Sequence, residues 1–253
     1  MWAAILLSLI FLLAPIAIIV ALSFSAARYL QFPPPGFSLQ WYREFFRNPD
    51  WMSSLWLSLR IALGATATAL LLGLLAAVAL VRERFPAKTA IYVLVLAPMI
   101  VPTIITAIAV YFLFARLRMI GSPIAMALGQ AVLVLPLVVI IVSATLQGFD
   151  RRLEQAAIIL GASPLQAFLR VTVPMIAPGI ASAALFAFLS SFDELLIPLL
   201  LSSPTTMTLP VRIWTSVIMQ IDPTITAVSS FLIALAIAVL GAAGLLRRAR
   251  GRA

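Results

Sequence analysis

Few residues in this chain have chemistry to offer, and they fall in two places. Glu154-Gln155-Ala156-Ala157 opens a polar stretch that runs to Pro174, and Asp193-Glu194 stands inside the apolar run Leu189–Pro198. A carboxylate among apolar residues of a membrane span is costly, and it persists where it serves a pathway or meets a charge. Two readings of Asp193 and Glu194 therefore stay open. One or both face a translocation pathway and draw a cationic solute by their negative potential. Alternatively they pair with Arg60, Arg116 or Arg212, or lie at the membrane interface, and hold the helix. Neighbours on a helix point about 100° apart, so one of the two is expected to face the pathway. Pro198 cannot complete the helical bonding there, which predicts irregular backbone of the kind that lines cavities.

The polar stretch reads as a bent lever, about 150–174. A short helix is expected from Glu154 to Leu160, and Ala156 and Ala157 on it carry so little side chain that another protein can approach closely. Gly161 suits the left-handed position just past a helix end. Ser163 followed by Pro164 is an N-cap and first helical residue, and Pro174 is expected to close that second helix before the next apolar run. Catalysis has nothing to work with. Cysteine and histidine are both absent, which removes disulfides, thiolate chemistry, the usual transition-metal ligands and the commonest general base. No phosphate-binding Gly-x-x-x-x-Gly-Lys and no nucleophile with a paired base can be found. The chain reads as non-enzymatic, with no cofactor or metal.

The elements that must position these residues are membrane helices. Hydrophobic residues make up 64% of the chain and charged ones 10%, more apolar surface than a soluble fold of this length can bury. A crossing takes about 20 apolar residues for a ~30 Å hydrocarbon layer. Six runs qualify: Trp2–Phe24, Leu59–Val81, Ala90–Phe114, Ile124–Leu146, Met175–Leu201 and Thr224–Leu246. They are continuous and do not alternate, so the fold class is all-α, a single transmembrane domain over 1–253. The first run outlasts the core of a signal peptide and is read as a retained span, with a cytosolic leader ahead of it left open.

Between the first two spans, Pro33-Pro34-Pro35-Gly36 excludes helix, and residues 39–46 mix aromatic and charged side chains as an amphipathic helix at the interface does. Trp41, Tyr42, Phe45 and Phe46 fit an interfacial aromatic belt better than a nucleic-acid platform. The net charge of +9 comes from arginines scattered at the ends of apolar runs rather than clustered on a face, which argues against nucleic acid. With both termini cytoplasmic, the inside set holds Arg82, Arg84, Lys88, Arg151, Arg152, Arg170, Arg247, Arg248, Arg250 and Arg252, ten against seven outside. Arg247–Arg252 is the clearest signal, and the lever then lies in the cytoplasm. Pro98 and Pro102 are expected to kink the third span, and Gly64, Gly73 and nearby alanines give the second a close-packing face.

The lever carries a family resemblance. Gln155-Ala156-Ala157, then Gly161, then Val171-Thr172-Val173-Pro174 resembles the E-A-A, Gly, I-x-L-P pattern of membrane subunits of binding-protein-dependent ABC importers. Gln155 stands where that pattern has an acid, with Glu154 one position earlier, and Val173 replaces its Leu. Trp41-Tyr42, Leu146–Asp150, Thr208-Leu209-Pro210, Ile221–Thr224 and the acidic pair after Ser191-Phe192 look like the spermidine/putrescine branch. The resemblance implies a type I importer permease in a bacterial inner membrane, bound in a heterodimer to a related permease, with a pair of ATP-binding cassette ATPases below and a periplasmic solute-binding protein above. It implies that Glu154, Gln155, Ala156, Ala157, Gly161, Ser163 and Pro164 couple to the ATPase. Asp193 and Glu194 would then line the path of a cationic solute such as a polyamine, an amino acid derivative being the alternative within the family. An ion-driven secondary transporter is the rival outside it, and it would need charges in several spans and transport without any ATPase.

Overall fold

The computed structural model describes residues 2–219 and 223–250. Ile221-Asp222 of the resembling motif and Arg252 of the basic terminus lie outside the described residues. In chain order the helices are α1 (Trp2–Ser23), α2 (Gln40–Arg47), α3 (Pro49–Arg82), α4 (Lys88–Ile100), α5 (Thr103–Arg116), α6 (Pro123–Gln147), α7 (Arg151–Ile159), α8 (Pro164–Ala167), a π-helical turn (Phe168–Thr172), α9 (Val173–Phe192), α10 (Leu196–Leu201), α11 (Leu209–Met219) and α12 (Thr224–Arg250). No strand forms among the described residues beyond an isolated antiparallel bridge, Ser25 to Phe37. Among the described residues, helical runs long and apolar enough to cross a membrane are Ile5–Ser23, Pro49–Arg82, Pro123–Gln147 and Pro164–Phe192, four, or five when α4 and α5 count as one broken span.

Proline placement explains where the helices depart from the expected spans. The third is not one helix. Val101 is driven to extended backbone (ψ 135°) by the ring of Pro102, and α4 and α5 meet at 102°. The fifth begins earlier and ends earlier than Met175–Leu201: helix runs without a gap from Pro164 to Phe192, stops, and resumes as α10. Pro174 therefore does not close a helix. In the π turn ahead of it, Val173 N–H reaches back to the Phe168 carbonyl, and Pro174 follows directly inside the unbroken run, so its ring is accommodated beside the π turn rather than at a helix end. The irregular backbone expected beside Pro198 is present. The interruption lies upstream at Asp193–Leu195, and Pro198 sits in the first turn of α10.

The chain divides into two compact units, one of residues 1–53 and 212–253, the other of 54–211. In the first, α1 and α2 both pack on α12. The α2 aromatics are used inwardly here, correcting the belt reading in part. Phe45 is fully buried between Trp51 and Phe231. Tyr42 Oη and Ser23 Oγ share a hydrogen bond of 2.8 Å, and Trp41 Nε1 donates to the Ser25 carbonyl at 2.9 Å. Phe46 remains half exposed. Arg212 pairs with Asp50 at 3.3 Å and lies over the Trp51 ring. Along α1, Leu6, Leu7, Phe11 and Leu12 are all exposed, the surface of a helix whose solvent is lipid.

In the second unit α3, α6 and α9 interlock around Ala69, Ala77, Val134, Val138, Val142, Ile176, Ala183 and Ala187. Small residues let the backbones close in. A Cβ on Gly73 would stand 2.6 Å from Val138 Cγ1, and one on Gly179 would run into Thr145. A second cluster joins Ile61 of α3, Ala107 and Phe114 of α5, Met126 of α6 and Ile197 and Leu201 of α10.

Candidate functional site

The lever is built by caps. Asp150 Oδ1 accepts from Arg152 N–H at 2.9 Å and starts α7, three residues before the expected Glu154. At its end Gly161 takes φ +96°, and the N–H groups of Gly161 and Ala162 return to the carbonyls of Ile158 and Ala157, each at 3.0 Å. A Cβ at Gly161 would meet nothing within 4 Å, so only the left-handed backbone requires glycine there. Ser163 and Gln166 then form a reciprocal capping box, at 3.3 and 3.1 Å, with Pro164 in the first turn of α8.

What this bend presents outward is apolar. Gln155 and Ala156 are exposed and Ala157 is half-buried. Beside them Ile159 is 85% and Leu160 88% exposed, with Leu165 on the next helix also open. Two large aliphatic side chains so bare at a sharp bend form a patch suited to a partner. Both stand in the same motif as Ala156 and Ala157, and their hydropathy in sequence does not distinguish them from buried aliphatics.

Glu154 turns the other way. Arg82 at the end of α3 grips its carboxylate with both guanidinium nitrogens, Nη1 to Oε1 at 2.9 Å and Nη2 to Oε2 at 2.6 Å. Thr172 Oγ1 donates to Oε2 at 2.5 Å, and Phe168 lies 5.3 Å beneath the guanidinium. The two charged side chains are only 9% and 14% exposed. Burial pushes the Glu154 carboxyl up, but hydrogen bonds from Arg82 and Thr172 and the charges of Arg82 and Arg151 outweigh it and hold it below the ordinary carboxylate value. Arg82 looked like a topology signal, and 72 residues separate it from Glu154. Nothing local in the sequence announces the pair.

Asp193 and Glu194 lie at the break, not within a span. Asp193 is the C-cap of α9, its N–H bonded to Leu189 O at 3.1 Å. The acid pair divides its work. Glu194 Oε1 accepts from Ile197 N–H at 2.9 Å and so caps α10, whereas the Asp193 side chain is exposed. No ion pair joins either acid to Arg60 or Arg116 among the described residues. Just before the break, buried Ser191 donates to buried Gln130 Oε1 at 2.5 Å and pins the last turn of α9 to α6. The lever and the break are thus the two ends of one helical run, Pro164–Phe192. The arrangement holds a bend with an exposed apolar surface and an acidic helix interruption, and no group of three or more metal-ligating side chains exists among the described residues.

Comparison with known proteins gives a concordant picture. The family described as binding-protein-dependent transport system inner membrane component matches residues 69–251. The chain is 36% identical over 247 residues to the putrescine transport system permease protein PotI of Escherichia coli K12, covering 95% of this chain and 85% of that protein. It is 30% identical over 238 residues to the spermidine/putrescine permease protein PotC of Haemophilus influenzae, covering 94% and 92%. Among solved structures, a bacterial ABC transporter involved in import of the acidic polysaccharide alginate superposes with TM-score 0.71 over 97% of this chain and 94% of that one, at 16% identity. That likeness is one of fold.

Proposed function

This chain belongs to the family of binding-protein-dependent transport system inner membrane components, and from that premise we propose that it is the permease subunit through which an ATP-driven importer passes a polyamine such as putrescine. As a member of the family it is a multi-pass inner membrane protein and a permease, not the ATPase. The observation that carries the solute is the nearly end-to-end likeness to permeases named for putrescine. The exposed Asp193 carboxylate at the helix break supplies chemistry to match, since a diammonium ion is attracted by negative charge where helical backbone gives way.

In this reading α1, α3, the bent α4–α5 pair, α6, the Pro164–Phe192 helix and α12 make the six crossings of one permease domain, with both termini in the cytoplasm. A related permease completes the pathway, a pair of ATPase subunits binds the lever, and a periplasmic receptor delivers the solute. Residues Glu154 to Gly161, with Ser163 and Pro164, form the coupling segment. Their support is the capped bend and its bare Ile159 and Leu160, because an apolar ridge in water needs a protein groove to cover it.

Uptake of labelled putrescine into vesicles holding the whole importer tests this. ATP inside and receptor outside should both be required. Uptake that persists without the ATPase would identify an ion-driven carrier, and uptake of another solute in preference to putrescine would reassign the pathway.

A further inference from the structure

Two mechanical routes leave the lever. One is covalent: α8, the π turn and α9 form a continuous helix, so a push on the bend travels along it. The other is the Glu154–Arg82 contact, which ends on the last residue of α3. Resting on the importer reading above, we propose that Arg82, Glu154 and Thr172 are positioning residues that weld the coupling lever to α3, so that the ATPase drives α3 and α9 together as one body.

The geometry carries this in three ways. A guanidinium gripped at both nitrogens by one carboxylate resists rotation as well as separation, unlike a single ion contact. The Thr172 hydroxyl donates to the same Glu154 oxygen that Arg82 holds at 2.6 Å, and this ties the π turn, and through it α9, to the joint. The Phe168 ring covers one face of the guanidinium, and little of either charge is exposed, so water competes weakly. Beyond Arg82 the displacement has a stiff carrier. α3 is a single helix of 34 residues, and beyond the joint Ala77 and Ala69 pack in the cluster shared with α6 and α9 while Gly73 lies against Val138, so a displacement of α3 reaches the membrane core. An outward-facing acid at Gln155's position would serve docking, whereas Glu154 serves transmission inside the subunit.

The chain has no cysteine, so spin labels can be set at Leu75 on α3 and Leu169 on the π turn, 61% and 53% exposed, in the whole importer in lipid vesicles. The label separation is measured without nucleotide and after trapping with ATP and vanadate. With the native joint it should be narrow and the same in both states. In Arg82→Gln it should broaden and shift on trapping, and putrescine taken up per ATP hydrolysed should fall roughly fivefold or more. The exchanged pair Arg82→Glu with Glu154→Arg should recover both. Thr172→Val, which keeps the ion pair and hence assembly, should give a smaller change in the same direction. A separation that stays fixed in Arg82→Gln and in Thr172→Val overturns the joint, as does an exchanged pair that assembles without regaining it. Failure of the polyamine reading looks different: native vesicles would accumulate no putrescine, while the label separation would still decide whether α3 follows the lever.

Discussion

Gly161 carries a constraint of backbone alone. At φ +96° with open space around its missing Cβ, Gly161→Ala is expected to cost about 1–2 kcal/mol of left-handed strain without any clash, and to misalign α7 against α8. Thermal unfolding of the purified complex should fall modestly while ATP-driven uptake falls further. Ser163→Ala should cost about 1 kcal/mol, the usual loss of an N-cap, measured the same way. For Glu154 the sign with pH follows from the lowered carboxyl. Its ionised form is the one the fold stabilises, so its contribution is complete at neutral pH and above the ordinary carboxylate value. That contribution is lost as pH falls through the lower, folded-state value. Unfolding temperature should therefore be flat near neutrality and drop at acid pH, and Glu154→Gln should start lower and lose part of that acid drop. At the break, Asp193→Asn should raise the putrescine concentration for half-maximal uptake about fivefold, the ~1 kcal/mol of one ion contact in water. An unchanged concentration would remove Asp193 from the path.

Helices here are placed by small residues and interrupted by prolines, and the two devices were unequally legible. Gly64, Gly73 and their alanines announced a packing face on α3, and α6 does occupy it, with Ala127 3.3 Å from a Cβ built on Gly64. Gly73→Ala should thus destabilise by about 1–3 kcal/mol through overpacking against Val138, unlike the strain-only change at Gly161. Prolines misled because one residue type has opposite meanings by register. Pro102 breaks α4 from α5 and the helix is interrupted just ahead of Pro198, yet Pro174 lies inside an unbroken run beside a π turn. A sequence shows the ring but not the turn it falls in, and a π turn such as Phe168–Thr172 has no residue signature that would have warned of it.

For the whole molecule, apolar surface faces two different surroundings. On α1 it covers the helix and fits hydrocarbon; at Ile159 and Leu160 it is a small ridge at the bend between α7 and α8, outside the long apolar helices. Ile159→Asp or Leu160→Asp should leave membrane insertion intact yet weaken co-purification of the ATPase by roughly 10- to 100-fold, the value of one buried aliphatic side chain. Composition and run length alone determined that this is a helical membrane protein, and Gly161 with Ser163-Pro164 alone marked the capped bend, because hydropathy and caps act over a few neighbouring residues. Tertiary structure decided that Glu154 points inward to Arg82 and that Glu194 caps α10 while Asp193 stays open. Where a charged side chain finds its partner depends on which distant helix end packs beside it, and that is a property of the assembled fold rather than of any local pattern.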